Sequence, residues 1–470
     1  MMKRALLTVS SLLAFSACSL APEYHAPAME TPAAFKEQPA DWHEGKPADQ
    51  LPRANWWEMF GNAELNGLEQ QVTDANQDLK AALAHYEGAR AMAAEARADY
   101  FPQVTANANA TRVQNSAALA TPTLKRREND YALTADVSYE LDFWGKVRNE
   151  VAAQTALADA SAADLETARL SLHAELASDY FALRGDDASQ AVLDETVKDD
   201  ARVLRLVEAQ HVGGIVAETD VDTARAQLEL ARTQAEDMRL KRAQLEHALA
   251  VLVGKAPAEF SLAAAPLLVP KVAPLPGLPS ALLEQRPDIA SAERRVAAAN
   301  AEIGVARAAY FPDFSLSGDI GYEAATLGHL ASASSLLWAL GPNMVATLFD
   351  GGRHDAQLEQ AHAATDEAAA HYRQAVLMAY QEVEDQLAAD RQLAKEAVSA
   401  KAASDAAGKA LARTNDRYNG GLITYLDVVV VQNQALSARL TETDVETRAA
   451  LAQVALIKAL GGGWHNSTEK

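Results

Sequence analysis

Two stretches of the chain alternate between apolar and polar side chains with a period of two residues. Over 131–143 the odd positions are apolar or aromatic, and most even positions are polar or charged. Over 314–323 the even positions are apolar or glycine, and the odd positions are mostly polar. This period predicts β-strands with one apolar and one polar face, about as long as a tilted strand that crosses a membrane. The same alternation is equally typical of a half-buried sheet in a soluble domain.

Each of these stretches has a weaker partner segment beside it. We therefore expect strands at about 103–113, 130–143, 313–323 and 342–350. Four strands leave two open edges, which hydrocarbon does not tolerate, and the smallest usual membrane barrels have about eight strands. Closing such a barrel would require several copies of the chain, and the strand count permits a dimer or a trimer.

Long alanine-rich segments without proline follow each pair of expected strands. The first covers 147–212, which at about 1.5 Å per residue would make roughly 100 Å of helix. After it, small or apolar residues recur at alternating steps of three and four, at 221, 224, 228, 231, 235, 238, 245, 249 and 252, with Arg242 as an interruption. A second series of this kind begins at Val428. Such a narrow seam predicts coiled-coil packing, so we expect two long helical hairpins.

The order of these elements occurs twice. The segment ARADYFP at 96–102 returns as ARAAYFP at 306–312, and farther along 207 positions separate Gly145 from Gly352 and Asp220 from Asp427. A constant offset over this length indicates internal duplication. The expected organisation is a first repeat at 61–254, a proline-rich connector at 255–285, a second repeat at 286–461 and a polar tail at 462–470.

The first residues predict export and a lipid anchor. Lys3 and Arg4 precede an apolar segment at 5–14, and small residues follow, so 1–17 is expected to be a signal peptide. Cys18 comes next and is the only cysteine in the chain. A lone cysteine at this place resembles a bacterial lipoprotein processing site, which implies a lipidated extended segment at 18–60. The alternative is ordinary cleavage that leaves a free thiol.

Composition and motifs argue against several classes of function. The formal net charge is −22, which disfavours nucleic-acid binding because that depends on neutralising phosphates. The 11 histidines show no metal-ligand spacing, and neither a phosphate-binding loop nor a nucleophile elbow is present in the sequence. We therefore expect no enzyme and no cofactor apart from the covalent lipid on Cys18.

Several short motifs, taken in their order, resemble the TolC-type outer-membrane efflux proteins, specifically the NodT-like lipoprotein branch that serves resistance-nodulation-division pumps. These motifs are Cys18 with Ala21-Pro22-Glu23-Tyr24, Trp56-Trp57, Asp142-Phe143-Trp144-Gly145-Lys146, Arg286-Pro287-Asp288-Ile289, the two Tyr-Phe-Pro turns and Phe349-Asp350-Gly351-Gly352-Arg353. The resemblance covers essentially the whole chain after the signal peptide.

The resemblance implies an α+β fold that is mainly α-helical. Coiled-coil hairpins would form a periplasmic tunnel, and four strands per chain would contribute to a 12-strand barrel in a homotrimer. It also implies a passive gated duct in the outer membrane that exports drugs or other toxic small molecules. The implied partners are outer-membrane lipid, a periplasmic adaptor protein and an inner-membrane pump of the resistance-nodulation-division type.

The resemblance places a gate at the hairpin tips. Asp427 and Asp220 occupy equivalent positions there, and in a trimer each would form a ring of carboxylates that favours cations. An alternative role for both is to stabilise the first turn of a helix, with Thr424 as the N-cap before Asp427. Leu426 would form an apolar constriction, or else belong to the coiled-coil seam.

Other tip residues are candidates for bracing the hairpins and for contact with the adaptor. Tyr418 would brace neighbouring hairpins or simply pack in their core. The glycine pairs are expected to permit tight turns that an adaptor recognises, and they would also serve as helix C-caps: Gly213, Gly214, Gly420 and Gly421. Val430 and Asn433 depart from the family, which often has an aspartate and a basic residue there.

Two other functions remain open from the sequence. A type I secretion duct for polypeptides would have the same architecture. A lipid-anchored periplasmic coiled-coil scaffold belongs to a different class, and it would not need two pairs of alternating strands at equivalent places in the repeat.

Overall fold

The computed structural model describes residues 19–37, 55–116, 118, 127–269 and 286–462. The predicted signal peptide at 1–17, the candidate lipidation site Cys18, most of the connector and nearly all of the polar tail lie outside these residues. The described helices are α1 (Ala63–Ala75), α2 (Gln77–Ala98), α3 (Lys146–Val212), α4 (Glu218–Leu252), α5 (Pro287–Ala308), α6 (Arg353–Asn419) and α7 (Tyr425–Ala459). The strands are β1 (Gln103–Gln114), β2 (Arg127–Glu140), β3 (Asp313–Ala324) and β4 (Leu336–Val345).

The four strands form one antiparallel sheet in the order in which they occur along the chain. The prediction of the fourth strand at 342–350 is wrong by about half its length, because β4 begins at Leu336 and ends at Val345. Pro342, the first residue of the predicted strand, lies inside β4 opposite Leu316. Within the single chain β4 is an edge strand, which is where proline is most often found in sheets.

Strand β2 also ends earlier than the alternation suggested. It stops at Glu140, and the carboxylate of Asp142 then accepts hydrogen bonds from the backbone N–H groups of Val147 (3.2 Å) and Arg148 (3.0 Å). These N–H groups lie in the first turn of α3, where no earlier helical carbonyl can accept their hydrogen bonds. The cap therefore takes the chain out of the sheet before Phe143.

The two faces of the sheet differ as the alternation predicted. Leu133 lies opposite Tyr322 on one face, whereas Asp136 lies opposite Asp319 on the other. The apolar face is open in the single chain, and the side chain of Trp338 on β4 is 72% exposed. Within the described ranges, no helix combines the length and the apolar composition needed to cross a bilayer.

The duplication is visible in the helices. Helices α3 and α6 each contain 67 residues, and α4 and α7 each contain 35. Both helices of the second copy begin 207 positions after their counterparts. Most of the predicted seam is buried, at Val221, Ala224, Leu228, Ala231, Ala235, Leu249 and Leu252 in α4, and at Val428, Ala435, Val445, Ala452, Leu456 and Ala459 in α7.

The chain divides into two compact units, one of which contains the sheet. In that unit the extended N-terminal segment runs alongside α5. Arg307 donates to the backbone carbonyl of Leu20 (3.2 Å), and Asn300 donates to that of Pro22 (2.9 Å). The other unit contains both glycine turns and the largest apolar cluster, which joins the Trp56–Phe60 3-10 helix and α1 to α3, α4, α6 and α7.

Candidate gate at the hairpin tips

Each hairpin turns through the same backbone structure, built on one glycine with a left-handed conformation. Gly214 has φ +73° and Gly421 has φ +71°. In the first tip Ile215 N donates to Gln210 O (2.9 Å), and in the second Leu422 N donates to Arg417 O (2.9 Å). This pattern is the Schellman motif, which satisfies carbonyls at a helix C-terminus. The predicted C-cap role therefore belongs to the second glycine of each pair.

The helix after each turn carries an aspartate in its first turn that bonds back to the backbone. In the second tip the Asp427 carboxylate accepts from the backbone N–H (2.9 Å) and the hydroxyl (2.7 Å) of Thr424. In the first tip Asp220 accepts only from the backbone N–H of Ala217, at 3.3 Å, because alanine has no hydroxyl. Asp427 is thus held by more hydrogen bonds than Asp220.

The helix-capping role proposed as an alternative for Asp427 is therefore present, with one difference from the expectation. Thr424 occupies the N-cap position, but its hydroxyl donates to Asp427 and does not accept from the helix. The two bonds from Thr424 lower the pKa of Asp427 below its ordinary value. Asp427 consequently stays ionised at neutral pH while its side chain faces solvent, which is also what a charged ring requires.

Leu426 does not lie in the seam of its own chain. Its side chain is 63% exposed, and that of Val430, one turn later, is 61% exposed. The buried positions of this turn are instead Tyr425, Val428 and Val429. Leu426, Asp427 and Val430 therefore all lie on the exposed side of α7, and two of the three are apolar.

Tyr418 joins the two hairpins of one chain. Its hydroxyl donates to the Gln210 side chain of α3 (3.1 Å), and its ring lies 5.9 Å from that of Tyr425. Burial, and then the nearby charge of Asp220, raise the pKa of Tyr418 above its ordinary value. Tyr418 therefore contacts both hairpins and packs beside the apolar cluster of the tip, and its bracing role stays a prediction. In the first tip the equivalent His211 bonds only within its own turn, to Val216 O (3.1 Å).

Sequence reasoning missed a second polar contact between the hairpins. The side-chain amide of Gln432 on α7 donates to the carboxylate of Asp200 on α3, which is 3% exposed. Burial raises the pKa of Asp200. The partners lie 232 positions apart, so only the helical register could have suggested the pair.

The tip contains acids, hydroxyls and aromatic rings. Across the described residues, no group of three or more histidine, cysteine or acidic side chains is placed to hold a metal ion. The exposed side of the second tip combines one ionised carboxylate with apolar side chains.

A family model described as "Outer membrane efflux protein" matches residues 68–255 and 278–462, that is, both repeats. The chain belongs to this family. The match confirms the predicted outer-membrane channel class, the helical fold with internal duplication, and the expectation that the protein is a passive channel and not an enzyme.

Individual relatives agree with this assignment over nearly the whole chain. Outer membrane protein OprJ of Pseudomonas aeruginosa is 32% identical, over 98% of this chain and 97% of its own. Toluene efflux pump outer membrane protein TtgI of Pseudomonas putida is 31% identical over 98% and 99%. The solved structure of the outer-membrane channel OprN matches with a TM-score of 0.86 at 31% identity, covering 95% of this chain and all of that one.

Proposed function

We propose that three copies of the chain form one gated duct, which carries small molecules delivered by an inner-membrane pump and a periplasmic adaptor. The observation that supports closure by several copies is the sheet. Strands β1 and β4 have no second neighbour within the described residues, so one edge of each is open. Pairing β1 of one copy with β4 of the next would satisfy both edges, and three copies would supply a closed barrel of about twelve strands.

The exposed apolar face of the sheet supports the same assembly. Leu133, Ile320 and Trp338 share this face, and a barrel would turn it towards lipid. The opposite face, with Asp136 and Asp319, would line the lumen. A periplasmic scaffold would gain nothing from this arrangement, which argues against that alternative. Relatives named for toluene efflux favour small molecules over polypeptides as the cargo.

The gate is proposed at Asp427, with Leu426 beside it as an apolar constriction. Threefold symmetry would repeat the ionised Asp427 around the axis and favour cations over anions. Asp220 would add a second ring, and Tyr418 would hold the second hairpin against the first.

The turns at Gly213, Gly214, Gly420 and Gly421 would be the surface that the adaptor contacts. Cys18 would carry the covalent lipid.

The gate is tested by single-channel recording in planar bilayers, with variants that separate charge from capping. Asp427→Asn removes the charge but keeps an oxygen that accepts from Thr424, whereas Asp427→Ala removes both. We expect both variants to lower the preference of the channel for cations over anions. Only Asp427→Ala should also make the conductance of single openings more variable. Asp405→Asn, an exposed carboxylate within α6, is the matched control and should conduct like the wild type.

Each outcome of these recordings has a distinct meaning. Unchanged ion preference in Asp427→Asn would return Asp427 to helix capping alone and leave the channel intact. The trimer is tested separately, by cross-linking in detergent and by the mass of the complex. A complex of another size would contradict the barrel closure, and protein that never conducts would favour the scaffold.

A further inference from the structure

A pair of titratable side chains lies in the apolar core that joins α1 to α3. Neither of the two belongs to the proposed gate. Glu69 of α1 is 0% exposed and His173 of α3 is 2% exposed. Glu69 Oε2 lies 2.6 Å from His173 Nδ1. The Trp57 ring stacks on the imidazole with its centroid 4.3 Å away. We propose that this pair is a one-proton latch, which holds a single proton while α1 is docked on α3 and loses it when the helices part above neutral pH.

The surroundings favour one proton on the pair over two protons or none. Glu69 Oε1 is buried and accepts no hydrogen bond from the described residues, which would be costly for an ionised carboxylate. The other ring nitrogen, His173 Nε2, lies 3.4 Å from the Thr73 hydroxyl. A proton held between Oε2 and Nδ1 leaves the pair without net charge, whichever of the two atoms carries it.

Few charged groups act on the pair from the elements packed around it. Arg169, one turn before His173 on α3, disfavours a positive imidazole, and Arg169 itself pairs with Glu166 at 3.1 Å. Glu69 is affected by burial and by no charged neighbour among the described residues. The ion pair of Glu64 with Arg184 lies in the first turn of α1, five residues before Glu69. The proton count of the latch is therefore set by burial, with Arg169 as a secondary influence.

Burial moves the two pKa values in opposite directions. It raises the pKa of Glu69 from 4.5 to about 9, and it lowers that of His173 from 6.5 to about 4, with Arg169 adding to the second effect. The docked pair thus keeps one proton between pH about 4 and about 9. After the helices part, the exposed groups together hold one proton between 4.5 and 6.5, and none above.

The sign of the pH dependence follows from these proton counts. Between pH 4.5 and 6.5 both states hold one proton, so docking does not depend on pH. Above pH 6.5 only the docked state holds it, so docking weakens by up to about tenfold per pH unit.

The test is hydrogen–deuterium exchange of the intact protein in detergent, followed as protection factors for Ala63–Ala75 from pH 4.5 to 9. In the wild type, protection should be constant up to pH 6.5 and then fall. Glu69→Gln keeps a neutral partner for the imidazole but cannot ionise, so its protection should stay constant above pH 6.5 and fall below it. His173→Gln should instead begin to lose protection near pH 4.5. The controls His85→Gln and Glu87→Gln, exposed on α2, should follow the wild type.

Two results would overturn the latch. The first is a Glu69→Gln profile that falls above pH 6.5 as steeply as that of the wild type. The second comes from infrared difference spectra of the wild type, which needs no folded variant. Isotope-edited titration from pH 6.5 to 10 should show the loss of one proton near pH 9, from the Glu69 carboxylic acid or from the His173 imidazolium. A spectrum with no such change would mean that the pair holds no proton to lose.

Discussion

Gly254 offers a sharp test of packing between α4 and α1, because a second glycine of the same conformation serves as its control. Gly254 caps α4 with φ +72°, and Gly214 caps α3 with φ +73°. A Cβ added at Gly254 would lie 2.6 Å from the carbonyl oxygen of Ala75 at the end of α1, whereas at Gly214 nothing lies within 4 Å. Both alanine substitutions therefore introduce the same backbone strain, but only Gly254→Ala also introduces a steric clash.

The magnitudes follow from these two contributions. A left-handed alanine costs about 1 kcal/mol, which applies at both sites. The contact with a backbone oxygen cannot be relieved by a side-chain rotation, and overpacking of this kind costs about 1–3 kcal/mol more. Gly214→Ala should therefore lower the free energy of local opening by about 1 kcal/mol. Gly254→Ala should lower it by about 2–4 kcal/mol.

Amide exchange measures both effects in the intact protein. About 1.4 kcal/mol corresponds to a tenfold change in protection, so Gly214→Ala should lose roughly fivefold at its turn. Gly254→Ala should lose on the order of 100-fold at its own turn and at the end of α1. Equal losses in the two variants would refute the steric argument, and a loss at Gly254 that does not reach α1 would refute the contact with Ala75.

Three further predictions concern single hydrogen-bonding groups. Arg286→Ala should destabilise the junction of α5, α6 and α7 by about 2–4 kcal/mol, measured by urea titration, because its guanidinium donates to Glu382 (2.6 Å) and to the Ala459 carbonyl (3.0 Å). Asn62→Ala should lower protection of α1 by about 1 kcal/mol, since Asn62 caps two backbone N–H groups of that helix; Asn62→Asp should retain most of it. Tyr418→Phe should cost about 1 kcal/mol at the tip, seen as more frequent channel openings, and unchanged gating would show that the Gln210 contact is not a brace.

The regular parts of the fold could be predicted from the sequence because they repeat. The seam of α4 and the offset of 207 positions each rest on many residues, so a single exception such as Arg242 did not hide them. Arg242 itself interrupts the seam for a reason that only the structure gives, since its guanidinium bonds to Asp187, 55 positions earlier.

The candidate site was predictable in position but not in detail. The glycine pairs are a local signal in the sequence, and Asp427 was identified from its place beside the second pair. Gln432 with Asp200, and Glu69 with His173, were not found, because each pair joins helices that are distant in sequence. A lone glutamate in an amphipathic helix is ordinarily a solvated side chain, and only the packing of α1 on α3 makes Glu69 a buried one.

The matched turns of the two hairpins have a consequence for how the chain can change over time. The backbone hydrogen bonds are the same at both tips, yet His211 closes its own turn and Tyr418 reaches across to the other hairpin. Duplication has therefore left two copies of one frame that carry different side chains. A substitution at one tip therefore leaves the matching turn of the other tip intact, so the side chains of the two tips can diverge within one polypeptide while the backbone of both turns is kept.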